Sequence, residues 1–205
     1  MTATSHLPAA LVLLDYFGIA VFAISGALVA PEKKQTLVTF IFFAVATGIG
    51  GGTLRDLLIG APVFWVQSNG VLAICIAAGL LVWFVSRPRI AEIALLWFDA
   101  AGIAAYATYG AAKALGFGVA PVAALAMGVL TACAGGIIRD VLAGEPSILM
   151  RPELYVTAAA LSAGLLVLLA LLGFGWAAVI VAALAGFALR GLAIARGWSL
   201  PSYRG

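Results

Sequence analysis

Two stretches of the sequence carry the same unusual set of residues. Gly50-Gly51-Gly52-Thr53-Leu54-Arg55-Asp56 ends in Gly60-Ala61-Pro62, and Ala134-Gly135-Gly136-Ile137-Ile138-Arg139-Asp140 ends in Gly144-Glu145-Pro146. The two copies stand 84 residues apart, Arg55 to Arg139. Both are embedded in apolar sequence. Hydrocarbon solvates neither a charge nor a backbone group freed from its helix, so an Arg, an Asp and a glycine cluster are each costly there. Paired in this way, such residues suit the passage of a small charged solute along a polar path.

Each copy is preceded by a further carboxylate, Asp15 and Asp99, at the same offset. The apolar segments thus hold four carboxylates (Asp15, Asp56, Asp99, Asp140) against two guanidiniums (Arg55, Arg139). Excess acid in a low-dielectric path favours a permeating cation over an anion. Side chains adjacent in a helix diverge by about 100°. We therefore expect Arg55 to pair with Asp15 and Arg139 with Asp99, leaving Asp56 and Asp140 freer. The competing reading is that all six charges pair only to fix helix registry.

The glycines also have two readings. Gly48, Gly50, Gly51 and Gly52 could serve close helix packing, as small residues do in membranes. Each also weakens a helix interior by about 1 kcal/mol, so the cluster is expected to break the helix and free carbonyl oxygens near the midplane. The expected pathway comprises Thr47, Gly50, Gly51, Gly52, Arg55 and Asp56 with Thr131, Gly135, Gly136, Arg139 and Asp140. Ser25, Thr108 and Tyr109 are expected to pack rather than to line it.

Other chemistries find no support in the sequence. It contains no nucleophile beside a base, no metal-ligand spacing and no phosphate loop, so neither catalysis nor a cofactor or metal is expected. His6 is the single histidine and no role is expected of it. Cys75 and Cys133 fall mid-segment and read as packing residues rather than a disulfide.

The elements that must position these residues follow from composition. The chain has 205 residues, 65% apolar and 9% charged, with a mean hydropathy of +1.19. Soluble domains carry about a quarter charged residues. The sequence is that of an all-α integral membrane protein. The net charge of +3 reflects loop residues that orient a membrane protein, and no nucleic-acid partner is expected. The opening Met1 to His6 lacks the pattern of a cleaved signal peptide.

Runs long enough to cross a bilayer predict seven spans, near 9–30, 36–59, 70–86, 93–113, 119–142, 154–172 and 174–194. Breaks fall at Pro31 to Gln35, Pro62 to Asn69, Arg87-Pro88-Arg89, Gly116 to Gly118, Glu145-Pro146, Arg151-Pro152-Glu153 and Gly173 to Gly175. Trp65, Trp83, Trp97, Trp176 and Trp198 mostly flank span ends, as interfacial anchors do. With the N-terminus outside and the C-terminus cytoplasmic, Lys33, Lys34, Arg87, Arg89, Arg151, Arg190, Arg196 and Arg204 lie on the inner side. Lys113 alone lies on the outer side.

The repetition extends beyond the motif. Asp15, Gly18-Ile19-Ala20, Gly26-Ala27, Thr47 and Pro62 recur as Asp99, Gly102-Ile103-Ala104, Gly110-Ala111, Thr131 and Pro146, and about a third of positions 15–66 match their partners. Each copy holds three spans, an odd number, so the second enters the membrane from the opposite side. The predicted organisation is a first three-helix repeat (9–86), a second, inverted three-helix repeat (93–172) and a seventh helix (174–194). Arg55 then lies about 28 Å along its span, near the outer face with Asp15, while Asp99, Arg139 and Asp140 form an inner layer.

The doubled Gly-Gly-x-x-Arg-Asp-x-x-x-Gly-x-Pro, the Asp-x-x-Gly-Ile-Ala opening of each half and the seven spans resemble the prokaryotic branch of the trimeric intracellular cation channel family. Related bacterial sequences have also been labelled glycine transporters. The resemblance covers about residues 10 to 195. It implies a homotrimer in a bacterial inner membrane, contacting lipids, with a pore inside each protomer lined by bent second and fifth helices. It further implies passage of monovalent cations, chiefly potassium. A secondary transporter for a small amino acid such as glycine is the alternative, because inverted repeats are also its usual architecture. A non-conducting scaffold is the third reading.

Overall fold

The computed structural model describes residues 9–31 and 33–201. His6 and Arg204 lie outside the described residues. Seven α-helices follow one another: α1 (Ala9–Ala27), α2 (Leu37–Leu58), α3 (Asn69–Val85), α4 (Pro88–Gly116), α5 (Pro121–Ala143), α6 (Val156–Leu171) and α7 (Trp176–Arg196). Short 3-10 turns at Phe64–Gln67 and Ile148–Met150 follow α2 and α5. Among the described residues there is no strand, only an isolated antiparallel bridge between Glu153 and Ser199.

Local chemistry sets the boundaries. Pro88 and Pro121 open α4 and α5, where a missing N–H costs nothing. The α5 helix stops at Gly144, whose left-handed φ of 69° suits glycine, and Pro146 prevents continuation. Helices α2, α4, α5 and α7 are long and apolar enough to cross a membrane. The apolar stretches of α1, α3 and α6 are shorter; the 17 residues of α3 and 16 of α6 rise about 24–26 Å, at or just under the lower end of a crossing length.

The packing follows the repetition. Helices α1, α2 and α3 pack on one another, as α4, α5 and α6 do, and α7 lies against α4 and α6. The two groups meet where α1 touches α4 and α2 touches α5. Those contacts are reciprocal. A methyl added to Gly51 would stand 2.0 Å from the Thr131 carbonyl oxygen, and one added to Gly135 2.7 Å from that of Thr47. Gly18 meets Tyr106, while Gly102 meets Phe22. Every partner in each pair is the other's counterpart at the 84-residue offset. Such mutual contact characterises an isologous interface, here between two halves of one chain.

One expectation is corrected here. The glycine clusters do not break their helices: α2 runs unbroken through Gly50, Gly51 and Gly52, and α5 through Gly135 and Gly136. In hydrocarbon an unwound turn would leave backbone groups unpaired. The glycines instead bring two helix backbones into contact, the use that small residues commonly have in membranes.

Candidate functional site: two buried charge clusters

The first cluster forms where α2 meets the end of α4. Arg55 and Asp56 are both fully buried. Arg55 Nε donates to Asp56 Oδ1 at 2.8 Å, and Lys113 Nζ donates to the same oxygen at 2.8 Å. The other carboxylate oxygen accepts the Phe64 N–H at 3.1 Å. The Arg55 guanidinium lies 5.0 Å from the Tyr109 ring centre and 5.8 Å from that of Phe64, so aromatic faces take part of its charge.

The second cluster has the same plan. Arg139 Nε donates to Asp140 Oδ1 at 2.9 Å, and Asp140 Oδ2 accepts the Ile148 N–H at 2.9 Å. Phe64 and Ile148 are counterparts at the repeat offset. Arg139 Nη1 also donates to Asp99 Oδ1 at 2.7 Å and to Ser25 Oγ at 2.6 Å, tying α5 to α4 and α1. Arg190, on α7, pairs with Glu153 and lies 5.7 Å from the Tyr155 ring centre.

Three expectations change. Asp56 and Asp140 are not free: each binds its neighbouring Arg with one oxygen and caps the following 3-10 turn with the other. The flexible arginine stem lets the guanidinium fold back on the next residue despite the 100° divergence. Asp15 forms no ion pair with Arg55 among the described residues. It lies in electrostatic range of Arg55 and Lys113, and its Oδ1 is buried without a hydrogen-bond partner. Lys113 and Arg190, counted above as charges that orient the chain, are 7% and 2% exposed inside α4 and α7.

The charge tally moves with them. Counting Lys113, the first cluster holds two acids (Asp15, Asp56) and two bases (Arg55, Lys113). The second holds Asp99 and Asp140 against Arg139, with Arg190 and Glu153 cancelling beside it. The excess acid expected for the whole path therefore sits at the second cluster alone.

Between the clusters, Thr47 and Thr131 are fully buried at the α2–α5 contact. Thr131 Oγ1 donates to the Met127 carbonyl at 2.6 Å, and Tyr106 donates to the Gly48 carbonyl at 3.2 Å. Gly50 packs on Ile138, and Gly52 on the Phe64 ring. An open cavity of about 290 Å³ reaches the second cluster, lined by Arg139, Asp140, Glu92, Lys33, Glu145 and Arg151 among others. Lys33 Nζ and Glu145 Oε1 pair at 2.5 Å on its wall. That contact holds the exposed Glu145 carboxyl below its usual range.

Sequence reasoning missed Lys113, Arg190, Glu153, Phe64 and Tyr155. For Lys113 a signal existed: Tyr106, Tyr109 and Lys113 are spaced three and four apart, one helical stripe.

A family model described as Glycine transporter matches the chain twice, over residues 12–87 and 96–171. The chain belongs to that family. Its two matched stretches are themselves offset by 84 residues, in step with the doubled motif. A UPF0126 membrane protein of Vibrio cholerae is 45% identical over 151 residues, which span 72% of this chain and 63% of that protein. The UPF0126 inner membrane protein YadS of Escherichia coli K12 is 40% identical over 148 residues, 71% of this chain and 72% of that one.

Among solved structures, the TRIC trimeric intracellular cation channel orthologue from Rhodobacter sphaeroides superposes with a TM-score of 0.88 at 39% identity, covering 93% of this chain and all of that one. A prokaryotic TRIC channel crystallised in 0.5 M KCl gives 0.86 at 28% identity, covering 93% and 98%. This family member is thus an all-helical membrane protein with the fold of the TRIC channels, and its structural neighbours are ion channels rather than enzymes.

Proposed function

We propose that the protein is a channel for monovalent cations, potassium among them, with a path inside each protomer of a homotrimer in the bacterial inner membrane. The observation that carries this reading is the pair of buried charge clusters, built by one motif at two places in a fold shared with cation channels. Gly-rich α2 and α5 line the path. Thr47, Gly50, Gly51, Gly52, Arg55 and Asp56 border its first half, and Thr131, Gly135, Gly136, Arg139 and Asp140 its second. Asp15 and Asp99 set the charge of the two ends. Excess acid at the second cluster favours cations.

The two three-helix units, 9–86 and 93–172, are inverted repeats, and α7 stands outside them. The N-terminus lies outside and the C-terminus in the cytoplasm, an orientation supported by exposed Lys33, Lys34, Arg87, Arg151 and Arg196. The second cluster and its open cavity then face the cytoplasm, amid lipid that covers the apolar outer faces.

The test is current through purified protein in planar bilayers under a potassium chloride gradient, with and without glycine. Discrete openings that reverse near the potassium potential support the channel. The family description favours a second reading, transport of a small amino acid. Electrical silence combined with saturable glycine uptake into liposomes would establish that reading and remove the first.

A further inference from the structure

The second cluster also differs from the first in what stands beside its glycine. Beside Gly52 of the first copy stands the Phe64 ring, from the turn directly after α2. Beside Gly136 of the second stands a residue from farther along the chain: Tyr155, 1% exposed, with its Oη 2.3 Å from where a methyl on Gly136 would lie. Asp99 Oδ1 is 3.5 Å from the same point. The glycine and the tyrosine meet beside Asp99, the carboxylate that Arg139 binds.

Tyr155 has no hydrogen bond to hold its hydroxyl. It is held from behind. Arg190 lies over its ring and pairs with Glu153, two residues earlier in the chain. The segment is fastened again by the chain beyond α7, where Leu200 N–H donates to the Pro152 carbonyl at 2.7 Å and Ser199 bridges Glu153. A guanidinium buried this deeply needs its carboxylate, so the pair is costly to break from one side.

We propose that Tyr155 is the side chain that closes the inner end of the path against Gly136, and that Arg190 on α7 is the positioning residue that keeps it there. The proposal rests on the pathway reading above. It gives α7, the helix outside the two repeats, a role in the path without lining it. The ring fills the approach to α5, and the Arg190–Glu153 pair fixes the ring. When Arg190 loses its charge, Glu153 is freed toward water and Tyr155 with it.

A readout independent of current is available. Cys133 is 5% exposed, stands one helical turn before Gly136 and lies in range of both Asp99 and Tyr155. The experiment measures how fast a membrane-impermeant, cationic methanethiosulfonate labels Cys133 from the cytoplasmic face of the full protein in liposomes. Cys133→Ala supplies the Cys75 background.

Wild type is expected to label slowly. Tyr155→Ala and Arg190→Gln are expected to label at least about tenfold faster, Arg190→Lys, which loses the planar guanidinium over the ring, also faster than wild type, and Tyr155→Phe near wild type. Slow labelling of Tyr155→Ala would overturn the closure. Fast labelling of Tyr155→Ala with Arg190→Gln unchanged would overturn the role of Arg190. Should Arg190→Gln not fold, Glu153→Gln reports on the same clamp from its less buried side and is held to the same criterion. Bilayer currents of the wild type decide the channel reading separately, so the two can fail independently.

Discussion

Arg139 ties three helices together. It bonds Asp140 beside it, Asp99 on α4 and Ser25 on α1. Removing one partner from a buried ion pair costs about 3–5 kcal/mol, because the charge left behind has lost both water and its counter-charge. Arg139→Ala should therefore lower the thermal midpoint sharply, and adding Asp99→Asn should restore part of the loss. Additive losses would mean that the two do not act as a pair. Where the single variant folds, removing the positive charge of the second cluster should change cation conductance. Arg55→Ala should do the same at the other end. Unchanged currents from folded Arg55→Ala and Arg139→Ala would sink the assignment of both to the path.

At the scale of helices, the glycines of α2 are not equivalent. A methyl on Gly51 would stand 2.0 Å from the Thr131 carbonyl oxygen, a backbone atom that cannot move without displacing α5. A methyl on Gly50 would meet only the tip of Ile138, at 2.5 Å, and a side-chain tip can rotate away. The second copy already carries alanine at the matching position, Ala134. Gly50→Ala should then be neutral or stabilising, since alanine is better in a helix by about 1 kcal/mol. Gly51→Ala should destabilise by several times that, and Gly51→Leu should abolish folding or flux. Equal melting temperatures for Gly50→Ala and Gly51→Ala would refute close contact between α2 and α5. The comparison also marks what the sequence could and could not say. Hydropathy and the 84-residue offset placed seven helices and both Arg-Asp pairs, because membrane length and duplication write themselves into the chain. Whether glycine bends a helix or joins two depends on the facing backbone, which lies in the other repeat. Lys113 and Arg190 were misplaced for a related reason. A charge near a helix end looks like a loop anchor until its partner, distant in sequence, comes beside it.

At the scale of the whole molecule, the two repeats are tied together at their surface as well as in the core. Lys33 lies between α1 and α2, and Glu145 lies just after α5; their pair borders the cavity that leads to Arg139. Both side chains are exposed, so the tie weakens with salt. Its pH dependence has a definite sign. The Lys33 ammonium holds the Glu145 carboxyl below its usual range. The tie is therefore at full strength above the ordinary glutamate range and is lost as pH falls through the lowered value. Spin labels at exposed Gln35 and Leu142, which line a neighbouring pocket that shares Lys33, can report this as a distance distribution. A narrow distribution at neutral pH and low salt should broaden in 1 M salt, in Glu145→Gln and on acidification. The acid-induced broadening should disappear in the Glu145→Gln background, which separates Glu145 from the buried carboxylates of the two clusters. A distribution indifferent to both salt and Glu145→Gln would mean that the cavity mouth is held by the helices alone.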